Sequence, residues 1–176
     1  MKSTSGTHRK GFTIVELLIV IVIIAILAAI TAVSYNGIQA RARDATRLQD
    51  AKSIEKGLRQ YLAYNGNFFS HTTTSWETSP AVAPGSFMSA LVTTNIMSKV
   101  PVDPVNLGAK YYRYYRYPAG YGGCDTAKGA FIVFQIMDME SVSGAHPASP
   151  GFACTGTGAR NWSAEADYTL GIFENE

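Results

Sequence analysis

Few residue types able to do chemistry stand out, and most are isolated. Glu16 heads a run in which every residue from 17 to 30 is Leu, Ile, Val or Ala. A carboxylate inside a membrane segment costs roughly 2.5 kcal/mol or more, so it needs a partner and points to a function. Cys124 and Cys154 are the only cysteines. Outside the cytoplasm they would pair, closing a loop of roughly 30 residues worth about 3–4 kcal/mol. Two free thiols or half a metal site are the alternatives, although neither Cys has a second Cys or a His at ligand spacing. Asp103 and Asp125 are weak calcium candidates, since two distant carboxylates are too few for the several oxygen ligands such an ion takes. No metal and no cofactor is expected.

Residues 111–117 read Tyr-Tyr-Arg-Tyr-Tyr-Arg-Tyr. Aromatics interleaved with Arg113 and Arg116 would stack bases and hold phosphates. The plainer reading, a strand with one face in the core and Tyr/Arg pairs across the sheet, is preferred, so nucleic acid is not supported. His8, His71 and His146 have no acid or nucleophile at useful spacing, and no catalytic constellation is present. An enzyme is not expected. Asn161-Trp162-Ser163 fits an N-glycosylation acceptor and residues 72–74 would suit O-glycosylation, but both patterns recur by chance.

The elements that must position these residues follow from periodicity. From 12 to 33 the chain is apolar over about the length that crosses a hydrocarbon core. From 39 to 64 there is no Pro, and Leu48, Ala51, Ile54, Leu58 and Tyr61/Leu62 recur at three- and four-residue steps, an apolar stripe for lying on a sheet. Arg41, Arg43, Asp44, Arg47, Asp50, Lys52, Glu55, Lys56 and Arg59 fill the remaining, solvated positions. Asn65-Gly66-Asn67 ends the helix, which at the standard rise would be about 80 Å long. Residues 65–109 form a loop-rich connection punctuated by Pro80 and Pro84-Gly85, with a short helix within 87–97. Strands are expected at 110–117, 130–137 and 168–173, the first two separated by Gly122-Gly123. The expected fold is α+β: a long N-terminal helix, membrane-spanning in its first half and amphipathic in its second, packed on a small antiparallel sheet of three or more strands.

Gly11-Phe12-Thr13-Ile14-Val15-Glu16, followed by Leu17-Leu18-Ile19-Val20, resembles the processing site of type IV prepilins and prepilin-like proteins. The resemblance implies that a prepilin peptidase cuts between Gly11 and Phe12 and that Phe12 is then N-methylated. Glu16 becomes the fifth residue of the mature chain, one helical turn from the cationic Phe12 amine. In a bundle of parallel helices Glu16 of one subunit would pair with the Phe12 amine of the next and fix axial register. The bland reading is a helix-start carboxylate favoured by the dipole. Pro101-Val102-Asp103-Pro104 ahead of a Tyr-rich strand is similar to pseudopilins and related pilins, and many pilins have a disulfide-bounded C-terminal region. In two places the sequence departs from the family: Ala25 and Val33 stand where many type IV pilins have a helical Gly and a Pro. Nothing from 12 to 36 breaks a helix, so melting of this segment in a filament is in doubt. Gly37 would be a hinge or a tolerated helical Gly.

The net charge of +2 belongs largely to the leader. Residues 1–11 hold Lys2, Arg9 and Lys10 and no acid; without these three of its 15 basic residues, the chain has 12 against 13 acids, so its basicity is no argument for nucleic-acid binding. The leader charges place the N-terminus inside and the C-terminal domain outside, with Arg41, Arg43 and Arg47 pulling weakly the other way. A secretory signal cut near Ala28, Ala29 or Ala32 and an uncleaved anchor are rival readings. The expected organisation is a cleaved leader at 1–11, a membrane or filament-core helix at 12–36, its amphipathic continuation at 37–64, the connection at 65–109, and the sheet with its disulfide-bounded region at 110–176.

By resemblance, the chain is a structural pilus subunit serving adhesion, twitching motility or DNA uptake. Its partners are then copies of itself, the prepilin peptidase, the membrane, a platform protein and an assembly ATPase. It would sit in the cytoplasmic membrane before assembly and in an extracellular pilus afterwards. A pseudopilin of a type II-like secretion system is the alternative, and a monomeric membrane-anchored binding protein a further one.

Overall fold

The computed structural model describes residues 11–70, 75–80 and 86–175, and within the long helix the side chains of 32–34 are not described. Leader residues 1–10, with Lys2, His8, Arg9 and Lys10, lie outside the described residues, as do His71, residues 72–74, Pro84-Gly85 and the side chains of Ala32 and Val33. The chain divides into two units, Met1–Gln39 and Ala40–Glu176. One helix, α1 (Ile14–Asn65), supplies residues to both.

In the first unit α1 starts from a reciprocal cap. Thr13 Oγ1 accepts from the Glu16 N–H at 3.2 Å, while the Glu16 carboxylate accepts from the Thr13 N–H at 2.9 Å and from its hydroxyl at 2.8 Å. This Thr-x-x-Glu box satisfies donors that a helix start leaves open. Thr31, the one hydroxyl that follows the aliphatic run directly, donates to the Leu27 and Ala28 carbonyls at 3.0 and 2.9 Å, so it brings no open donor into the segment. Large apolar side chains along this stretch are exposed, Ile14 at 85%, Leu17 at 63% and Ile24 at 58%. The helix is long and apolar enough to cross a membrane by length and composition. Asn36 and Gly37 are helical, and beyond the helix's own backbone no described residue comes within 4 Å of where a Gly37 Cβ would sit.

In the second unit a four-stranded antiparallel sheet runs in the order β1 (Glu77–Thr78), β2 (Tyr112–Tyr117), β3 (Phe131–Ile136), β4 (Tyr168–Phe173). The registers pair Tyr112 with Ile136, Tyr117 with Phe131, and Phe131 with Phe173. The three expected strands are present, and β1 is an addition. Two polar residues give no periodic signal, and β1 exists because Glu77 is held from both sides: its carboxylate accepts from the Met88 N–H at 3.0 Å and from the Tyr114 hydroxyl at 3.1 Å. The helix within 87–97 is a single turn, α2 (Ala90–Thr93).

All six residues of β3 are buried, because the sheet is covered on both faces. On one face Ile132, Phe134 and Ile136 meet Ala51, Ile54 and Leu58 of α1. On the other, Phe131 and Val133 meet Tyr117, Cys124 and Trp162, with Phe152 and Phe173 packed alongside. Cys124 and Cys154 are joined by a disulfide with their Cα atoms 4.8 Å apart. Gly171 makes this second layer possible, since a Cβ there would come within 1.9 Å of the Phe152 ring.

Candidate functional site

The first group of candidates surrounds the start of α1. Gly11, Phe12 and Thr13 precede the helix, Phe12 is 89% exposed, and among the described residues none comes within 4 Å of where a Gly11 Cβ would sit. Glu16 is exposed too and is engaged with Thr13 alone among the described contacts.

The second group is one that periodicity places in solvent. Arg47 is fully buried, and its guanidinium is surrounded by carboxylates. Nε donates to Asp103 Oδ2 at 2.7 Å and Nη2 to Asp103 Oδ1 at 3.0 Å, a bidentate pair. Nη1 donates to Asp44 at 2.7 Å and to Glu140 at 2.9 Å. Arg43 adds a bond from Nε to Glu140 at 2.7 Å. Asp44 also accepts from the backbone N–H groups of Glu140 and Ser141, at 3.0 and 2.6 Å. The expectation that Arg47 and Asp44 face water is therefore corrected. They lie three apart and continue the stripe backwards through 44, 47, 51, 54 and 58, the same alternation of three and four as the apolar residues. That spacing was the available signal, and a charged residue type masked it.

Electrostatics follow from these bonds. The Arg43 hydrogen bond, with Arg47 beside it, holds the Glu140 carboxyl down at about 2 against burial. Burial raises Asp44, but the Ser141, Glu140 and Arg47 donors outweigh it and keep its carboxyl below the usual range. Burial, with the Asp50 carboxylate as a neighbour, pushes the Tyr112 phenol upward. Asp50 accepts from that phenol at 2.9 Å, and its own carboxyl is raised by burial.

The remaining sequence candidates are placed apart. Asp103 serves Arg47 and the N–H groups of Val105 and Asn106, whereas Asp125 caps a short turn through the Ala127 N–H at 2.9 Å. The two carboxylates have different partners, and among the described residues no group of three or more His, Cys, Asp or Glu is placed to hold a metal ion. Arg113 and Arg116 leave opposite faces of β2: Arg113 reaches Gln135 and Glu165, and Arg116 reaches Glu174. Tyr112, Tyr114 and Tyr117 are buried, so the tyrosine run is not a continuous exposed stacking surface. Asn161 accepts from the Ser163 N–H at 3.0 Å, making the apparent glycosylation triplet an Asx turn. His146 Nδ1 likewise accepts from the Ala148 N–H at 3.0 Å.

The capped apolar helix of the first unit and the helix-on-sheet packing of the second can be set beside known proteins. The family model for the prokaryotic N-terminal methylation motif matches residues 6–32. A "Fimbrial protein" of Neisseria meningitidis serogroup A is 30% identical over 90 residues, 51% of this chain and 53% of that protein. A "Type IV major pilin protein PilE1" of Neisseria gonorrhoeae is 34% identical over 75 residues, 43% of this chain and 46% of that protein. The chain thus spans about half the length of the curated relatives it matches. No solved structure matches it. What the comparisons give is a likeness: the N-terminal methylation motif over residues 6–32, and similarity over about half the chain to type IV pilins.

Proposed function

We propose that the chain is a structural subunit of a type IV pilus filament. The observation that carries this reading is the start of α1, where a Gly-Phe bond outside the helix is followed within one turn by a capped Glu16. After that turn comes an apolar helix whose large side chains are exposed among the described residues. A prepilin peptidase cuts after Gly11 and the new Phe12 terminus is methylated. The subunit is held in the cytoplasmic membrane by 12–36 with its C-terminal domain outside, and a platform protein and an ATPase assemble it. In the filament the apolar helices pack together and bury their faces. Each Glu16 leaves Thr13 and pairs with the Phe12 amine of a neighbour, so that only one axial register leaves no charge unpaired. The role is structural rather than enzymatic, with adhesion, motility or DNA uptake as its use.

Intact-mass and N-terminal peptide analysis of the protein from its native host tests the reading. A chain beginning at Phe12 with one added methyl supports it. A chain beginning near Ala32 identifies an ordinary secreted protein, and one that retains residues 1–11 identifies a monomeric anchored protein. A pseudopilin is processed identically, and the Pro-Val-Asp-Pro stretch that holds Asp103 keeps that second reading in play. Long extracellular filaments by electron microscopy favour the pilus, and their absence the pseudopilus.

A further inference from the structure

On the sheet face turned away from α1, Trp76, Tyr115, Tyr117 and Tyr121 line a cavity of about 420 Å³ together with Arg160. The ring centroids of Tyr117 lie 4.6 Å from those of Tyr115 and Tyr121, and that of Trp76 lies 5.9 Å from Tyr115. Tyr117 is buried and stacks on Tyr121 and Phe131, so Trp76, Tyr115 and Tyr121 supply the accessible ring faces. Such faces attract three kinds of ligand: an organic cation, a nucleobase, or the C–H face of a sugar ring.

The surrounding charges choose among them. The Arg113 guanidinium lies 4.1 Å from the Trp76 ring centre, and Arg160 lies beside the cavity. The Arg113 guanidinium thus already holds a cation's place over Trp76. An oligonucleotide needs a positive track for its phosphates, and here both guanidiniums are committed to one carboxylate. Arg113 donates to Glu165 Oε2 at 3.2 Å, and Arg160 donates to Glu165 Oε1 at 2.9 and 2.7 Å. Arg116 faces the other way, on Glu174. A neutral ring bearing hydroxyls meets neither obstacle. Its C–H face lies on the aromatics, and its hydroxyls reach the polar edge where Arg160 Nη1 stands 3.5 Å from the Tyr121 hydroxyl, a loose contact that a sugar oxygen would tighten. Mostly aromatic walls with a few placed polar groups are the usual composition of a small-ligand site.

We infer that this cavity is a carbohydrate subsite that takes one hexopyranose ring of a glycan. The pilin reading supplies only the route by which the cavity reaches the cell surface; binding itself is a property of the single chain. The test therefore uses the detergent-solubilised full chain and fluorescein-labelled trisaccharides of glucose, galactose and N-acetylglucosamine, with a labelled oligothymidine alongside, read by fluorescence polarisation. At least one sugar binds saturably, and Trp76→Ala and Tyr121→Ala each weaken it by about tenfold or more, with unchanged unfolding curves. If Trp76→Ala fails to fold, Tyr121→Ala decides, since Tyr121 is 42% exposed. Absence of saturable sugar binding, sugar binding that the folded variants retain, or oligothymidine binding lost in those variants overturns the inference. Failure of filament assembly does not.

Discussion

Arg47 and Asp103, 56 residues apart in sequence, meet through two parallel bonds with both side chains fully buried. This pair, joined by Asp44 and Glu140, ties α1 to the Pro-flanked loop before β2 and to the segment after β3.

Removing one partner leaves an uncompensated buried charge. Arg47→Ala or Asp103→Ala is expected to cost about 3–5 kcal/mol, measured by denaturant unfolding of the solubilised chain. Because Arg47 also serves Asp44 and Glu140, Arg47→Ala is the more damaging of the two. A double variant, Arg47→Met with Asp103→Leu, is expected to recover part of the loss.

Acid weakens the same cluster. The Glu140 carboxyl is held at about 2 in the folded chain, against an ordinary 4.5, first by the Arg43 hydrogen bond. A depressed carboxyl contributes stability that is whole above about pH 4.5 and disappears as the pH falls toward 2. Asp44 acts in the same direction. Glu140→Gln is therefore expected to lower stability at neutral pH and to flatten its fall between pH 4.5 and 2, read from unfolding midpoints across that range.

Glu16 has two separable roles, a cap within the chain and a charge for assembly. Glu16→Gln keeps an acceptor for the Thr13 N–H and removes only the charge. The subunit is expected to fold and insert normally and to give few filaments on electron micrographs. Thr13→Ala loses the cap, at about 1 kcal/mol, and is expected to assemble. Normal filament yield from Glu16→Gln would sink the register role.

Cys154→Ser opens the loop that carries Phe152 and Trp162 over the outer sheet face. A loop of roughly 30 residues predicts a loss of about 3–4 kcal/mol. Hydrogen exchange is expected to rise first in the 141–163 segment and later in β3, whose inner face rests on α1.

Three-four periodicity and strand-like runs were enough to read α1 and the three long strands, because each buries a regular stripe or row that leaves a repeating pattern. The Thr13–Glu16 cap joins residues three apart and needs no tertiary partner. The pairing of Cys124 with Cys154 followed from their being the only two cysteines, once an oxidising compartment was assumed. Burial of Arg47, in contrast, was decided by tertiary structure. A guanidinium leaves water only if carboxylates wait for it, and those carboxylates arrive from positions 103 and 140. The same holds for β1, which exists only because Tyr114 and Met88 hold Glu77, and for the aromatic cavity, whose rings come from residue 76 and from 115–121. Local order is written in neighbouring residues; charge burial and cavities depend on groups that only the folded chain brings together.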